Sequence, residues 1–341
     1  MIGFELVNGS AGDPCVYIHV PSTRENAMLD CGLNVSVPVG KLLRVADVFI
    51  SHTHIDHMIG FDWVVRANLT HDKVLHVYGP EPLTEQVRSR LRGYTWNLDT
   101  RGWVTIACHE IGGDAITTTV LPCETWFDPV EPPQTQPLEE NLIPHARLQV
   151  RFARLEHRVV SLAYSLQAPP RMNVDAEAVA AAGLSPGPWL RELKRRTAEA
   201  LRSSQHDGPP QVAVPDDDTI EVDGRALPTQ QLIRELLTVR DGFKLVYVTD
   251  TIYAPETRER IVELARKADV LLCEAVFSAQ DADTARSTYH LTARQAGELA
   301  ADAQVAELVL FHFSGRYADD YGALVREAQE QFPRVRAYGI E

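Results

Sequence analysis

Within six positions of one turn the chain places four side chains that can bind a cation. Ser51-His52-Thr53-His54-Ile55-Asp56-His57 follows directly on the apolar run Val45-Ala46-Asp47-Val48-Phe49-Ile50. Neutral imidazole and carboxylate are the donors that suit Zn²⁺. Side chains two apart on an extended segment project to one side. His52 and His54 therefore face one ion, while Asp56 and His57, at the turn that follows, can face a second. Any fold of this chain has to run a strand into that turn and bring further donors to it.

Suitable strands are present. The runs 2–7, 15–20, 27–30 and 45–51 read as strands separated by Gly, Pro and Asn turns, so the chain opens as a β-meander. Helical spacing appears at 81–91, 261–267 and 292–303. In the last third, KLVYVTD (244–250), VLLCEAVF (270–277) and ELVLFHFS (307–314) read as buried strands that end in Asp, Glu or His. Strand ends form the rim of a sheet, where loops carry function. Asp250 and His312 join the candidate ligands on that ground, with Asp250 suited to bridge two ions. His157 is a further polar candidate. Strands alternating with helices put the chain in the α/β class.

Two segments break the pattern. Leu121 to Pro144 contains six prolines and reads as an extended loop. Residues 168–240 read as an inserted arm, with a basic helical piece at 191–202 that holds five Lys and Arg against two Glu. The whole chain of 341 residues carries 33 Lys and Arg against 47 Asp and Glu, a net charge of −14. That balance argues against indiscriminate binding to polyanions or anionic membrane, so a nucleic acid would have to be held by a local basic patch. With 45% hydrophobic residues the chain can bury a large core. Five cysteines without a C-x-x-C pair fit a reducing compartment. The N-terminus lacks a secretory pattern and no apolar run reaches membrane-spanning length, so a cytoplasmic location is expected.

The order His-x-His-x-Asp-His, a lone His157, Asp250 at a strand end and the late His312 resembles the metallo-β-lactamase superfamily. More narrowly, the chain resembles the ribonuclease Z family of tRNA 3′-processing endonucleases. SHTHIDHMIG (51–60), VYGP (77–80), HRVVSLAY (157–164), CEAVF with YHLTARQA (273–296) and HFSGRY (312–317) carry that likeness over nearly the whole chain.

The resemblance implies a four-layer αββα sandwich, one domain over 1–341 with the arm inserted. It implies two Zn²⁺ per chain, with Mn²⁺ as the alternative metal. His52, His54 and His157 would hold one ion and Asp56, His57 and His312 the other, with Asp250 between them. A metal-bound hydroxide would attack phosphorus in RNA, the substrate being a tRNA precursor. His290 would serve as the proton donor to the leaving 3′ oxygen, Glu274 would orient it, and Asp56 would assist proton transfer. Arg316 would contact phosphate or stabilise the loop after the last metal ligand, the arm residues Lys194, Arg195 and Arg196 would contact phosphate, and the family likeness suggests a homodimer.

Some features depart from the family. Leu33-Asn34-Val35 replaces an acidic, Gly-containing stretch, Ala163-Tyr164 replaces Gly-Tyr, and 121–144 is long enough for a lid. The competing expectation is a hydrolase of the same fold acting on a small substrate: a cyclic nucleotide, another phosphodiester, a lactone or a thioester. A catalytically dead scaffold is a third, against which the complete set of seven donors argues.

Overall fold

The computed structural model describes residues 2–20, 23–97, 99–203, 212 and 214–340. The chain divides into two compact units, Met1–Gln167 with Lys244–Glu341, and Ala168–Phe243.

In the larger unit the first eight strands lie in sequence order across one sheet: β1 (Gly3–Leu6), β2 (Val16–His19), β3 (Asn26–Leu29), β4 (Val45–Phe49), β5 (Val74–Pro80), β6 (Thr105–Gly112), β7 (Ala115–Pro122) and β8 (Gln134–Pro137). The first three form the expected meander, with β1, β2 and β3 antiparallel. The fourth departs from it. The helix Val39–Leu42 carries the chain across, so β4 runs parallel to β3, and β5 and β6 continue in parallel. Every residue of β4 is buried, as a strand covered on both faces requires.

A second sheet begins with β9 (Leu142–Ile143), β10 (Gln149–Glu156) and β11 (Val160–Gln167). The smaller unit then adds β12 (Arg171–Val174), β13 (Thr219–Val222), β14 (Arg225–Pro228) and β15 (Leu237–Arg240). The second sheet resumes with β16 (Lys244–Val248), β17 (Val270–Glu274), β18 (Leu308–Phe311) and β19 (Val335–Arg336), in the order β19-β18-β17-β16-β11-β10-β9. The last four strands are parallel.

Each sheet is covered by helices on its outer face. Phe61, Val64 and Val65 of the helix Phe61–Asn68, and Leu83, Val87 and Leu91 of the helix Leu83–Leu91, share one core with Met28, Val48, Val77 and Ile106. Ile261, Leu264, Ala296, Leu299 and Leu324 pack in the same way with Val246, Leu271 and Leu310. Between the sheets lie fully buried aromatic rings, with Phe49 5.4 Å from Tyr164 and 4.7 Å from Tyr78 between centroids. This is the αββα order, and each such buried ring stabilises it by about 1.5–3 kcal/mol. The two sheets are also tied at one end. Tyr164 Oη donates to the Ile50 carbonyl at 2.7 Å and Leu162 N–H to that of Ser51 at 2.9 Å. Those bonds draw the turn after β4 to the hairpin β10–β11, which carries His157.

The Pro-rich stretch, expected as loop throughout, is partly strand. After β7 it makes a 3₁₀ turn at Cys123–Thr125, contributes the edge strand β8, and crosses to β9. Proline is tolerated there because an edge strand leaves N–H groups unpaired. Among the described residues no hydrogen bond or ion pair joins 121–144 to a candidate ligand, and nothing in its contacts makes it a lid.

The smaller unit has its own core of Val179, Trp189, Leu193, Ile220, Val222, Leu232, Ile233 and Leu236. Its longest helix, Trp189–Ser203, covers the expected basic piece. Gly242 closes the unit against Ala168, whose carbonyl oxygen would lie 1.7 Å from an added Cβ. Among the described residues no helix is long and apolar enough to cross a membrane.

Candidate metal centre

The turn after β4 keeps His52 extended and buried, then starts the short helix Ile55–Met58 with His54 as its N-cap residue. Asp56 and His57 thereby sit on helical backbone, with the His57 ring 4.2 Å from that of His52. Asp250 follows β16, His312 follows β18, and both hold positive φ, +26° and +61°. Backbone of this kind is stored where the surrounding structure over-determines it, most often at functional sites.

The other six donors expected from the sequence gather around Asp250. Its Oδ2 lies 3.7 Å from His52 Nε2, 3.4 Å from His57 Nε2 and 3.4 Å from His157 Nε2, while Oδ1 lies 2.9 Å from His312 Nδ1. Asp56 Oδ2 lies 3.5 Å from His57 Nε2 and 3.4 Å from His312 Nε2. Three groups of donors have ligand atoms within 4.8 Å of one another: His52, His54, His157 and Asp250; Asp56, His57 and His312; and Asp250, Glu274, His290 and His312. Burial and the neighbouring His57 push His52 down to about 2. Its imidazole is therefore neutral, the form that ligates a cation. Burial opposes charge on His312, but Asp250 and Asp56 raise it to about 10.

The far side of these rings is fixed by a layer that sequence reading missed. His57 Nδ1 is 2.7 Å from Asp30 Oδ2, and the same oxygen accepts from Ser51 Oγ and Tyr247 Oη, both at 2.7 Å. Asp30 Oδ1 accepts the Ser51 N–H at 2.7 Å. His157 Nδ1 donates to the Tyr289 carbonyl at 2.7 Å. Such partners set the tautomer that leaves Nε2 free for an ion. Asp30 carried the signal that revealed Asp250, a carboxylate ending a buried strand. Tyr247, inside an apolar run, carried none.

His290 stands beside this cluster, its ring 4.8 Å from that of His157 and 5.8 Å from that of His312. Its Nδ1 is 2.8 Å from Glu274 Oε2. The other oxygen of Glu274 accepts N–H groups of Thr251 at 2.8 Å and Leu291 at 3.3 Å. Burial opposes charge on His290, yet the Glu274 carboxylate raises its pKa. Thr292 caps the following helix, accepting from Gln295 N–H, so capping makes no demand on His290.

Arg316 lies 3.5 Å from Asp281 and stacks over Phe277 at 4.9 Å. In the smaller unit Arg195 pairs with Glu192 at 2.5 Å and Glu199 at 2.6 Å, and Arg196 with Glu192 at 2.8 Å and with Asp218. Lys194 is half-buried and has no acidic partner among the described residues. The side chain of Arg202 lies outside the described residues. Residues 168–243 hold nine Lys and Arg against twelve Asp and Glu, so the positive piece sits in an acidic unit. Of the remaining histidines, His19 meets Glu5, His76 meets His109 and His145 meets Asp47, while His206 lies outside the described residues.

A protein named Ribonuclease Z from Deinococcus radiodurans is 32% identical over 317 residues, which cover 91% of this chain and 88% of that one. The chain belongs to the ribonuclease Z family. A second Ribonuclease Z, from a Synechococcus strain, is 30% identical over 93% of this chain and 86% of its own length. The family described as Beta-lactamase superfamily domain matches residues 195–313. Human tRNase Z, short form, shares the fold at a TM-score of 0.51 and 16% identity, covering 100% of this chain and 99% of that one. This member of the ribonuclease Z family is thus a hydrolytic nuclease of the metallo-β-lactamase fold.

That fold implies a metal cofactor, and the residues present fit one. His52 Nε2 and His57 Nε2 are buried without a hydrogen-bond partner, and His312 Nδ1 meets only the carboxylate of Asp250, at 2.9 Å but out of hydrogen-bond alignment. A buried polar nitrogen left unbonded costs about 1–3 kcal/mol. All three belong to these donor groups. A cation between the rings would satisfy them, and the mixed imidazole and carboxylate set suits a divalent ion.

Proposed function

We propose that this ribonuclease Z family member is a zinc-dependent endonuclease that processes the 3′ ends of tRNA precursors. His52, His54 and His157 would hold one ion, Asp56, His57 and His312 the other, and Asp250 would bridge them. Bound there, the cations would supply Lewis-acid charge at the phosphoryl oxygens and acidify a water for attack. The protein's own residues do the rest. Glu274 holds the His290 proton at Nδ1 and favours the imidazolium, so Nε2 can donate a proton to the leaving 3′ oxygen. Asp56, more open than Asp250 and Glu274, would assist proton transfer from the nucleophile while remaining a ligand.

The observation that carries this reading is the Glu274–His290 pair beside the seven donors. A fixed general acid serves a poor leaving group such as a ribose oxygen, which the donor set alone does not. The names Ribonuclease Z and tRNase Z borne by relatives and a structural neighbour support tRNA as the substrate. A small phosphodiester is the second reading, favoured by the pairing of Arg195 and Arg196 with acids. Five buried free cysteines support the cytoplasm as its place of action. We take the enzyme to act as a homodimer, which sedimentation of the purified protein would check.

A metal-dependent cleavage assay comparing precursor tRNA, unstructured RNA and bis-p-nitrophenyl phosphate tests the proposal. Cleavage of precursor tRNA well above the other two supports it. Turnover of the small diester without RNA cleavage, under Zn²⁺ or Mn²⁺, would overturn it.

A further inference from the structure

We infer that Arg158 forms an anion subsite at the rim of the metal centre, holding the RNA phosphate next to the one being cut. The inference rests on the nuclease reading above and assigns that site a residue for substrate beyond the scissile bond.

Backbone conformation gives the first reason. Arg158 is the middle residue of the tight turn between β10 and β11, where Glu156 pairs with Val160 and His157 N–H donates to the Val159 carbonyl at 2.9 Å. Its φ is +56°, in the left-handed region that Gly or Asn usually occupies in hairpins. Holding another residue there is strained. The chain accepts that strain at a position where glycine would remove it, so the arginine side chain has a task that the turn does not.

The side chain is held without being neutralised. Nη2 donates to the Ser287 carbonyl at 2.6 Å and the guanidinium lies over the Tyr289 ring at 5.4 Å. No carboxylate pairs with it among the described residues, and the residue is exposed. An arginine has five N–H donors in a rigid fork that matches phosphate, and stacking on an aromatic ring orients the fork in advance. In a chain of net charge −14, a fixed and unpaired guanidinium is a place for an anion. Arg286, also exposed and without an acidic partner among the described residues, precedes Ser287 and extends the same positive rim.

Its location points to substrate. Arg158 follows His157, while Ser287 and Tyr289, which fasten it, precede His290. The backbone of the same Tyr289 accepts the His157 proton at 2.7 Å. The guanidinium is therefore anchored to both segments that carry the innermost groups and stands one residue outside them. A nucleic-acid strand with one phosphate at the centre carries a neighbouring phosphate for such a guanidinium to hold, whereas a mononucleotide diester has none.

The variant R158G separates this role from a merely structural one, because glycine relieves the turn. With precursor tRNA, R158G is expected to raise KM about tenfold with kcat little changed. The slope of log kcat/KM against log salt should become shallower by about 1, the signature of one lost phosphate contact. Its Tm should not fall. R158K should recover the salt slope, since charge returns, and recover KM only in part, since the fork does not. Unchanged KM and slope in R158G, with a wild-type protein that cuts RNA, overturn this inference alone. A fall in kcat and Tm together would also overturn it, assigning Arg158 to holding the hairpin. A wild-type protein that cuts no RNA overturns the functional reading along with it.

Discussion

His290 Nδ1 lies 2.8 Å from Glu274, a wholly buried carboxylate that no arginine or lysine shares among the described residues. Glu274 is instead held by the backbone N–H groups of Thr251 and Leu291, which fix it facing one imidazole. H290A is expected to lower kcat by about 10²–10⁴-fold, the usual contribution of a positioned acid. Its metal content per chain should stay at the wild-type value, read by elemental analysis. E274Q keeps a hydrogen-bonding group but loses the charge, so kcat should drop less, by about tenfold. Loss of metal from H290A would make His290 a ligand and withdraw its role as acid.

Asp30 accepts four hydrogen bonds and directs His57 from behind. D30N cannot accept from all these donors at once, and the asparagine amide would face the His57 Nδ1–H. Cation affinity is expected to fall about 10–100-fold, measured by competition with a chromogenic chelator. Y247F removes one donor and should have a smaller effect in the same assay. Chelation should lower the wild-type Tm and restored Zn²⁺ should raise it in a concentration-dependent way, because the ion binds the folded state. Equal chelator competition for D30N and wild type would separate Asp30 from the metal.

Legibility in the sequence followed local density. Four donors in one turn identify themselves, and Asp250 and His312 could be read because each polar residue interrupts the end of an apolar run. The αββα layers followed from the family likeness, and the strand positions from apolar runs bounded by turns. What escaped depends on distance along the chain. Tyr247 meets Asp30 across 217 residues, and Tyr289 serves His157 with a backbone carbonyl, which any residue type could supply. The parallel entry of β4 was hidden in a helix of only four residues, too short for any periodicity to show. The basic piece at 191–202 was legible as composition, but its partial neutralisation was not, since Asp218 meets Arg196 across 22 positions of sequence.

A pH effect is expected away from the metal centre. His76 Nδ1 and His109 Nε2 are 2.9 Å apart, and His109 Nδ1 is 2.9 Å from Thr118 Oγ1. Burial, then repulsion from His76 and His145, pushes His109 down to about 4. Its folded pKa lies below the unfolded value of about 6.5. The stability it contributes is present above pH 6.5 and is lost as the pH falls toward 4. Between pH 7 and pH 5 this loss is on the order of 2 kcal/mol. H109Q keeps a donor and an acceptor without the titration, so urea unfolding at the two pH values should show a smaller drop for the variant. An equal drop in both proteins would remove His109 as the cause.

In the smaller unit the contrast between paired and unpaired cations sets the last expectation. Arg195 and Arg196 spend their guanidinium groups on Glu192, Glu199 and Asp218, whereas Arg191 and Lys194 have no acidic partner among the described residues. A phosphate can be neutralised by an unpaired cation without first breaking an ion pair. Double substitution R191A/K194A is therefore expected to make the salt dependence of precursor-tRNA binding shallower by about 2 in log–log slope. R195A/R196A should change that slope little, while removing the pairs that hold Glu192 and Asp218 together and so loosening the helix Trp189–Ser203 against its neighbours. Fluorescence anisotropy over a salt series distinguishes the two. If R195A/R196A flattens the slope as much as R191A/K194A does, the ion pairs open when RNA binds and all four cations take part. If neither does, RNA is held by the larger unit alone, and the rim around Arg158 becomes the place to look for the missing contacts.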